Sequence, residues 1–210
     1  KVQSDKTALE KERAEAELKN LKSQLNPHFL FNTLNNIYSL ISFSPERAQG
    51  AVHELSKLLR YVLYENNQHF VPLEKELDFL HNYIELMRIR LPEQGKLETR
   101  IEAGEASSAL IAPLLFISLI ENAFKHGVSY SNPSFIHIQI MAADRYNLTC
   151  EITNSFFPKS DQDKSGSGIG LSNLRKRLEL LYPGRYVLEC GQEGSLFRAV
   201  LRLTLKEEYV

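Results

Sequence analysis

The segment LKSQLNPHFLFNTLNNIYSLI, residues 21–41, constrains the fold most, because on a helix a polar stripe lies opposite a wide apolar side. At the helical step of about 100° per residue, one side is polar and carries Gln24, His28, Asn32, Asn35, Ser39 and Ser42. The other side carries Phe29, Leu30, Leu34, Ile37, Tyr38, Leu40 and Ile41. The pattern predicts a helix with a wide apolar face and with His28 in the middle of a solvated stripe.

A second helix is predicted directly after the first. Ser44, Pro45 and Glu46 are typical of a helix start. An apolar stripe follows and runs out at residues 66–67; it consists of Ala48, Ala51, Val52, Leu55, Leu58, Leu59, Val62 and Leu63. Two helices joined by a short turn form an antiparallel hairpin. Because so apolar a hairpin cannot cover its own face, we expect two copies to pair as a four-helix bundle, making a homodimer.

Upstream, residues 1–25 read KVQSDKTALEKERAEAELKNLKSQL and predict another helix. Ala14, Leu18, Leu21 and Leu25 form a narrow apolar seam, which favours a two-stranded coiled coil. A solvated helix packed on its own domain fits the same pattern.

The second part of the chain mixes helices and strands. Helices are predicted over residues 73–90, 113–126 and 171–182, and strands over residues 97–101, 135–141, 147–153, 186–190 and 197–205. This order indicates an α+β sandwich, with one mixed sheet and helices on one face. We therefore expect two domains, residues 1–67 and 68–210.

The composition excludes several classes of protein. A net charge of −1 gives no general reason to expect binding to nucleic acid. Cys150 and Cys190 lack metal-ligand spacing, which favours reduced packing thiols in a cytosolic compartment. No stretch is apolar for long enough to span a bilayer. The chain opens with Lys1, however, so a longer protein with a membrane span elsewhere fits the sequence equally well.

Two short motifs point to a nucleotide. LIENAFKHG, residues 119–127, places Glu121, Asn122, Lys125 and His126 on an otherwise apolar helix. An amide oxygen such as that of Asn122 suits magnesium, and Lys125 can balance phosphate charge. GSGIGL, residues 166–171, puts three glycines directly before a helix, where the backbone can approach a phosphate. The polar segment 157–167 precedes this helix. Together these features predict a site for magnesium and a nucleoside triphosphate.

These motifs resemble those of the sensor histidine kinases of the LytS/YehU type. NPHFLFNTLN is similar to the phosphoacceptor box of that family, and ENAFKHG to its asparagine box. GSGIGLSNLRKRLELLYPG is similar to its second glycine box and the helix beyond, and GSLF at residues 194–197 matches its connecting pattern. The resemblance covers nearly the whole chain. It implies a two-helix dimerisation and phosphoacceptor domain followed by an ATP-binding domain of the Bergerat type.

The resemblance also implies roles for individual residues. His28 would accept the phosphoryl group. The position of Asn32, one helical turn further on, adds a hypothesis of its own, that a hydrogen bond from Asn32 fixes the tautomer of this imidazole. ATP would be bound with magnesium on Asn122, and by Lys125, His126, Asn154, Gly166, Gly168, Gly170, Leu171 and Ser195. The phosphoryl group would pass to an aspartate of a response regulator, which in this family often carries a LytTR-type DNA-binding domain. The chain would be the cytoplasmic part of a bacterial inner-membrane protein.

Two positions depart from the wider pattern. Phe29 follows His28, where many histidine kinases have an acid that acts as a base. Asn154 replaces the aspartate that binds adenine, a change worth about 1 kcal/mol, or roughly fivefold in affinity. A catalytically impaired dimeric scaffold is therefore the alternative function. An ATP-hydrolysing enzyme ranks last, because Ser118 stands where hydrolysis requires a carboxylate.

Overall fold

The computed structural model describes residues 27–65, 70–157 and 169–206. The predicted coiled coil of residues 1–25 lies outside these residues, as does most of the polar segment before the second glycine box. The chain divides into two compact units, residues 1–67 and 68–210. We call them the helical unit and the sandwich unit and describe each by itself. Among the described residues, no helix is both long and apolar enough to cross a bilayer.

The helical unit is a hairpin of two helices, α1 (Pro27–Phe43) and α2 (Pro45–Arg60). Only Ser44 separates them. Proline suits the first position of α2, because the N–H that it lacks would have no helical partner there. The side chain of Ser44 makes no capping hydrogen bond, although its carbonyl accepts one from the Ala48 N–H at 3.0 Å. A π-helical turn, Tyr61–Glu65, continues α2.

The hairpin buries only part of the apolar face predicted for α1. Phe29, Thr33 and Ile37, four residues apart, are buried. The buried residues of α2 are Ala48, Ala51, Leu55 and Leu58. Phe31, Leu34, Tyr38 and Ile41 remain 51–78% exposed. The prediction that Leu34, Tyr38 and Ile41 belong to a buried face is therefore not met within one chain, because α2 covers only one stripe of α1.

The sandwich unit is built on a five-stranded mixed sheet. Its strands lie in the order β2-β4-β5-β7-β6, with β2 and β4 parallel and all other neighbours antiparallel. They are β2 (Gly95–Glu102), β4 (Ser134–Ala142), β5 (Asn147–Ser155), β6 (Tyr186–Glu193) and β7 (Leu196–Thr204). A separate antiparallel pair joins β1 (Val71–Pro72) to β3 (Leu110–Ile111). The predicted α+β class with a mixed sheet is confirmed.

The sandwich unit has three described helices: α3 (Leu73–Arg88), α4 (Ile117–Gly127) and α5 (Ile169–Leu181). Helix α4 packs on β4 and β5, α5 packs against α4, and α3 packs against β1 and β3. Alternation along β4 explains this arrangement, because Ile136, Ile138 and Ile140 are buried while the residues between them are partly exposed. The opposite face is polar. Ion pairs cross it, with Arg198 2.8 Å from Glu151 and Arg202 2.9 Å from Glu189.

The helix predicted over residues 171–182 is observed at Ile169–Leu181. Two further predicted helix boundaries are wrong, for different reasons. The helix predicted over residues 113–126 begins at Ile117, because residues 113–116 form a turn in which Leu114 has a φ of 56°. The helix predicted over residues 73–90 ends at Arg88. There the N–H groups of Arg90 and Leu91 bond back three residues instead of four, which tightens the last turn before Pro92.

Candidate nucleotide-binding site and phosphoacceptor helix

Helix α4 carries three of the predicted nucleotide-binding residues. It packs on β4, β5 and α5, and its buried side chains are Ile117, Leu119, Ile120, Ala123 and Phe124. The polar residues lie on the less buried side, where Asn122 and His126 are half-buried and Lys125 is exposed. The asparagine amide and the lysine ammonium are therefore accessible to a ligand, while the apolar side of the same helix fixes their positions.

Glu121, beside Asn122, accepts a hydrogen bond from a residue of α3. The fully buried Tyr83 donates a hydrogen bond to the Glu121 carboxylate, with the two oxygens 3.4 Å apart. Burial raises the pKa of Glu121, while the Tyr83 hydrogen bond and the charge of Lys125 act in the opposite direction. This contact fixes a carboxylate next to the asparagine of the motif. The sequence alone assigned Glu121 no role.

Asn154 contributes a buried hydrogen-bond acceptor at the end of β5. Its side chain is 1% exposed, and Nδ2 donates to the Ser155 carbonyl at 2.7 Å. That bond uses the amide nitrogen and leaves Oδ1 as the acceptor. No described residue donates to Oδ1, and the only other such buried side-chain atom in the described part of the chain is Thr33 Oγ1. An unpaired buried acceptor costs about 1–3 kcal/mol and calls for an explanation.

Gly127 allows α4 to end directly against Asn154. A Cβ at this position would lie 2.7 Å from both Cβ and Nδ2 of Asn154, closer than real contacts permit. Only glycine fits this approach without displacing the asparagine. Gly127 was not among the predicted site residues. The available signal was its place at the end of ENAFKHG, but its partner lies on a strand well separated from it in sequence.

The start of α5 carries Gly170 and Leu171, while Gly166 and Gly168 lie outside the described residues. Gly170 is exposed, and a Cβ there would meet no described residue within 4 Å. Helix α5 packs against α4. The structure therefore brings the end of the second glycine box to the helix that carries Asn122.

Ser195 lies in the turn between β6 and β7 and is exposed. Its carbonyl accepts a hydrogen bond from the Phe156 N–H at 2.8 Å. Asn154 pairs with Phe197 and Ser155 with Leu196 across the β5–β7 ladder. Ser195 and Asn154 consequently occupy the same end of the sheet.

The predicted phosphoacceptor residues belong to the helical unit. His28 is in the first turn of α1, and the surroundings of its side chain lie outside what the structure describes. Asn32, one helical turn further on, is half-buried. The described site residues thus fall into two groups, one on α1 and one on α4, β5, α5 and the β6–β7 turn.

Comparisons with known proteins agree with the motifs. Residues 16–95 match the family model for histidine kinase. The chain is 30% identical over 208 residues to the sensor histidine kinase/phosphatase LytS of Staphylococcus aureus strains MRSA252 and Mu50. The match covers 92% of this chain and 35% of each relative, so the chain spans about a third of the length of these curated relatives.

A solved structure shares the fold. The histidine kinase domain of the blue-light activated histidine kinase from Erythrobacter litoralis EL346 matches with a TM-score of 0.50 at 14% identity. The match covers 89% of this chain and 92% of that domain, and it shows a common architecture. Over almost its whole length the chain is therefore similar to sensor histidine kinases, and the resemblance indicated by its sequence motifs is confirmed.

Proposed function

We propose that this chain is the catalytic part of a sensor histidine kinase, which uses magnesium and ATP to phosphorylate His28. The observation that carries the proposal is the unpaired Asn154 Oδ1 at the end of β5. Adenine carries an exocyclic amine, which donates hydrogen bonds. An acceptor held in place through its own Nδ2 and lacking a donor among the described residues is complementary to that amine. Asn154 fits adenine without the charge of an aspartate.

The proposed reaction is a phosphoryl transfer to an imidazole nitrogen. The nitrogen lone pair of His28 forms the N–P bond as the bond from the γ-phosphorus to the oxygen of ADP breaks, and the ring proton passes to solvent. A neutral imidazole carries a lone pair on one ring nitrogen and can act as the nucleophile. Asn32, one turn along α1, would orient the ring by a hydrogen bond. Placement and charge neutralisation supply most of the catalysis in such transfers.

Asn122 is the proposed protein ligand for magnesium. Its amide oxygen is a hard ligand on the accessible side of α4, beside Lys125. When bound, magnesium neutralises charge on the phosphates. Asn122→Ala should abolish the magnesium dependence of nucleotide affinity and leave the fold intact. Calorimetry with and without magnesium measures this, with Ser118→Ala on the same helix as the control. An unchanged magnesium dependence would remove Asn122 from the site.

The helical unit is proposed to form a homodimer. Phe31, Leu34, Tyr38 and Ile41 follow one another at spacings of three and four residues and are all exposed. This spacing matches that of helices packed side by side. A second copy of the same hairpin would cover the row and complete a four-helix bundle.

The proposed partner is a response regulator that accepts the phosphoryl group on an aspartate. By resemblance to the family, we infer that this regulator carries a LytTR-type DNA-binding domain. We also infer that the chain acts on the cytoplasmic side of a bacterial inner membrane.

The experiment that tests the function is incubation with γ-labelled ATP and magnesium, followed by acid and base treatment of the protein. We expect a label that is lost in acid and retained in base, which indicates phosphohistidine. Nucleotide binding without any label would favour the alternative, a dimeric scaffold in which the change to Asn154 has ended catalysis.

A further inference from the structure

The turn just before α4 is held in a strained conformation. Leu114 has a φ of 56° and is the only non-glycine residue with positive φ in the described part of the chain. Leucine in the left-handed region costs about 1–2 kcal/mol, and such a residue persists only when its surroundings impose it. Leu114 is also 2% exposed, so these surroundings are protein.

Glu76 of α3 holds the N–H side of this turn. Its carboxylate accepts hydrogen bonds from the N–H groups of Leu114 at 2.9 Å and Leu115 at 3.2 Å. The Glu76 side chain is 0% exposed. A buried carboxylate is tolerated only where hydrogen bonds or an opposite charge compensate for its lost hydration. The carboxylate and the two amides therefore fix one another.

Arg177 of α5 holds the carbonyl side of the same turn. Its guanidinium donates to the Pro113 carbonyl at 2.6 Å and to the Leu114 carbonyl at 3.3 Å. Burial lowers the pKa of Arg177, while the nearby charge of Glu76 raises it. The N–H and the C=O of Leu114 are thus hydrogen-bonded to side chains of opposite charge, which come from two helices. We call these contacts of Glu76 and Arg177 with residues 113–115 the grip.

A third side chain, that of Tyr182, contacts the backbone two residues before Leu114. The Tyr182 hydroxyl, just after α5, accepts a hydrogen bond from the Ala112 N–H at 2.8 Å. The segment 112–115 is therefore attached to α3 through Glu76 and to the α5 region through Arg177 and Tyr182. It leads directly into α4, which begins at Ile117.

The position of this turn matters for the site. Helix α4 carries Asn122 and Lys125, and α5 begins with the end of the second glycine box at Gly170. A nucleotide that contacts both helices binds well only when they are held in the correct relative position. If the ligand had to align the helices itself, part of the binding energy would be lost, so helices that are already aligned bind the nucleotide more tightly.

We propose that Glu76 and Arg177 are positioning residues, which grip the Leu114 peptide and so keep the Asn122 helix and the glycine-box helix aligned for magnesium and nucleotide. This inference rests on the proposed nucleotide site. It assigns neither residue a contact with the ligand.

The test compares two conservative variants with two matched controls in the full chain. Glu76→Gln keeps the shape but turns a donor toward one of the two N–H groups, and Arg177→Lys keeps the charge but loses the fork that reaches two carbonyls. Glu74→Gln on α3 and Arg202→Lys on the open face of the sheet change exposed residues in the same way. The probe is magnesium with a non-hydrolysable ATP analogue. Its Kd is measured by calorimetry below the melting temperature of every variant.

We expect the Kd to rise about tenfold or more in both positioning variants and to stay within about twofold in both controls. The double variant should bind the analogue no more weakly than the single variant with the higher Kd, because either substitution breaks the same set of contacts. A lower melting temperature with an unchanged Kd would overturn the inference, since it would show a purely structural role. Absence of binding by the unmodified chain would instead reject the proposed nucleotide site, and the inference with it.

Hydrogen exchange on the unmodified chain provides a readout that does not depend on the variants folding. We expect the analogue with magnesium to slow exchange at the amides of Leu114 and Leu115 about tenfold or more, because ligand and grip stabilise each other. Unchanged exchange at these two amides in the saturated protein would overturn the inference.

Discussion

The helical unit leaves a row of large apolar side chains exposed on α1. In the sandwich unit the sheet core is buried, and among its described residues one buried side-chain atom, Asn154 Oδ1, has no donor. These two features call for different partners. An apolar row is covered by another apolar surface of similar length, such as a second copy of the hairpin. A single buried acceptor is satisfied by one donor group on a small molecule.

The two features also differ in energy. Burial of a large apolar side chain is worth about 1.5–3 kcal/mol, so a row of four such residues outweighs any one polar contact. A single neutral hydrogen bond contributes about 0.5–1.5 kcal/mol. We therefore expect substitutions in the α1 row to have larger effects than substitutions at Asn154.

The largest expected effect comes from placing a charge in the apolar row. Tyr38→Glu introduces a carboxylate at the same place on both copies, and the dimer dissociation constant should rise about 100-fold or more. Sedimentation across micromolar concentrations measures it. Asn35→Glu, at an exposed polar position of the same helix, is the control and should dimerise normally. A monomeric unmodified chain, or a Tyr38→Glu chain that dimerises as before, would contradict the proposed pairing.

The free energy of unfolding of the sandwich unit should fall at alkaline pH because of the buried Tyr182. Burial raises the pKa of Tyr182 from 10.0 to about 12, against the lowering effect of the Ala112 N–H bond. The unfolded chain therefore loses this proton first. The contribution to stability is complete below about pH 10 and disappears as the pH rises through about 12, a loss of roughly 3 kcal/mol.

Urea unfolding between pH 9 and 12 tests this expectation. The difference in unfolding free energy between the unmodified chain and Tyr182→Phe should shrink across that range, because phenylalanine has no proton to lose. A difference that stays constant would show that the Tyr182 hydroxyl does not titrate with folding.

A smaller effect is expected at Asn154, and it distinguishes a binding residue from a structural one. Asn154→Leu removes a buried acceptor that has no donor among the described residues, and it also removes the Nδ2 bond to the Ser155 carbonyl. Because these two losses act in opposite directions, the free energy of unfolding should stay within about 1 kcal/mol of its original value. The affinity for nucleotide should fall about tenfold. Calorimetry and urea unfolding of the same samples check the two quantities. Loss of stability with unchanged affinity would mean that Asn154 serves the fold and does not contact adenine.

The sequence predicted those parts of the fold that depend on local periodicity. The two helices of the hairpin and the alternating strand β4 follow from residues close together in the chain. The start of α4 was missed because Glu76, far upstream of Leu114, binds the amides that would otherwise begin the helix. Periodicity within a window contains no information about such a distant partner.

The same distinction between local and distant partners applies to the residues of the candidate site. Asn122 and Lys125 were identified because a short motif placed them on one helix. Gly127 was missed because its importance lies in the close approach to Asn154 on a separate strand. The role of Asn154 Oδ1 as a buried acceptor follows only from the structure, in which Nδ2 bonds to the Ser155 carbonyl. Neighbours along the chain were predictable, and neighbours in space were not.

The most direct test of the central claim maps the phosphate to a residue. After reaction with labelled ATP and magnesium, mass spectrometry of the peptides should locate the phosphate on His28. His28→Gln should abolish labelling while nucleotide affinity stays within about twofold, because His28 lies outside the sandwich unit that carries the proposed nucleotide-binding residues. Asn32→Ala should slow the reaction without stopping it. Phosphate on any other histidine, or labelling that persists in His28→Gln, would contradict the account.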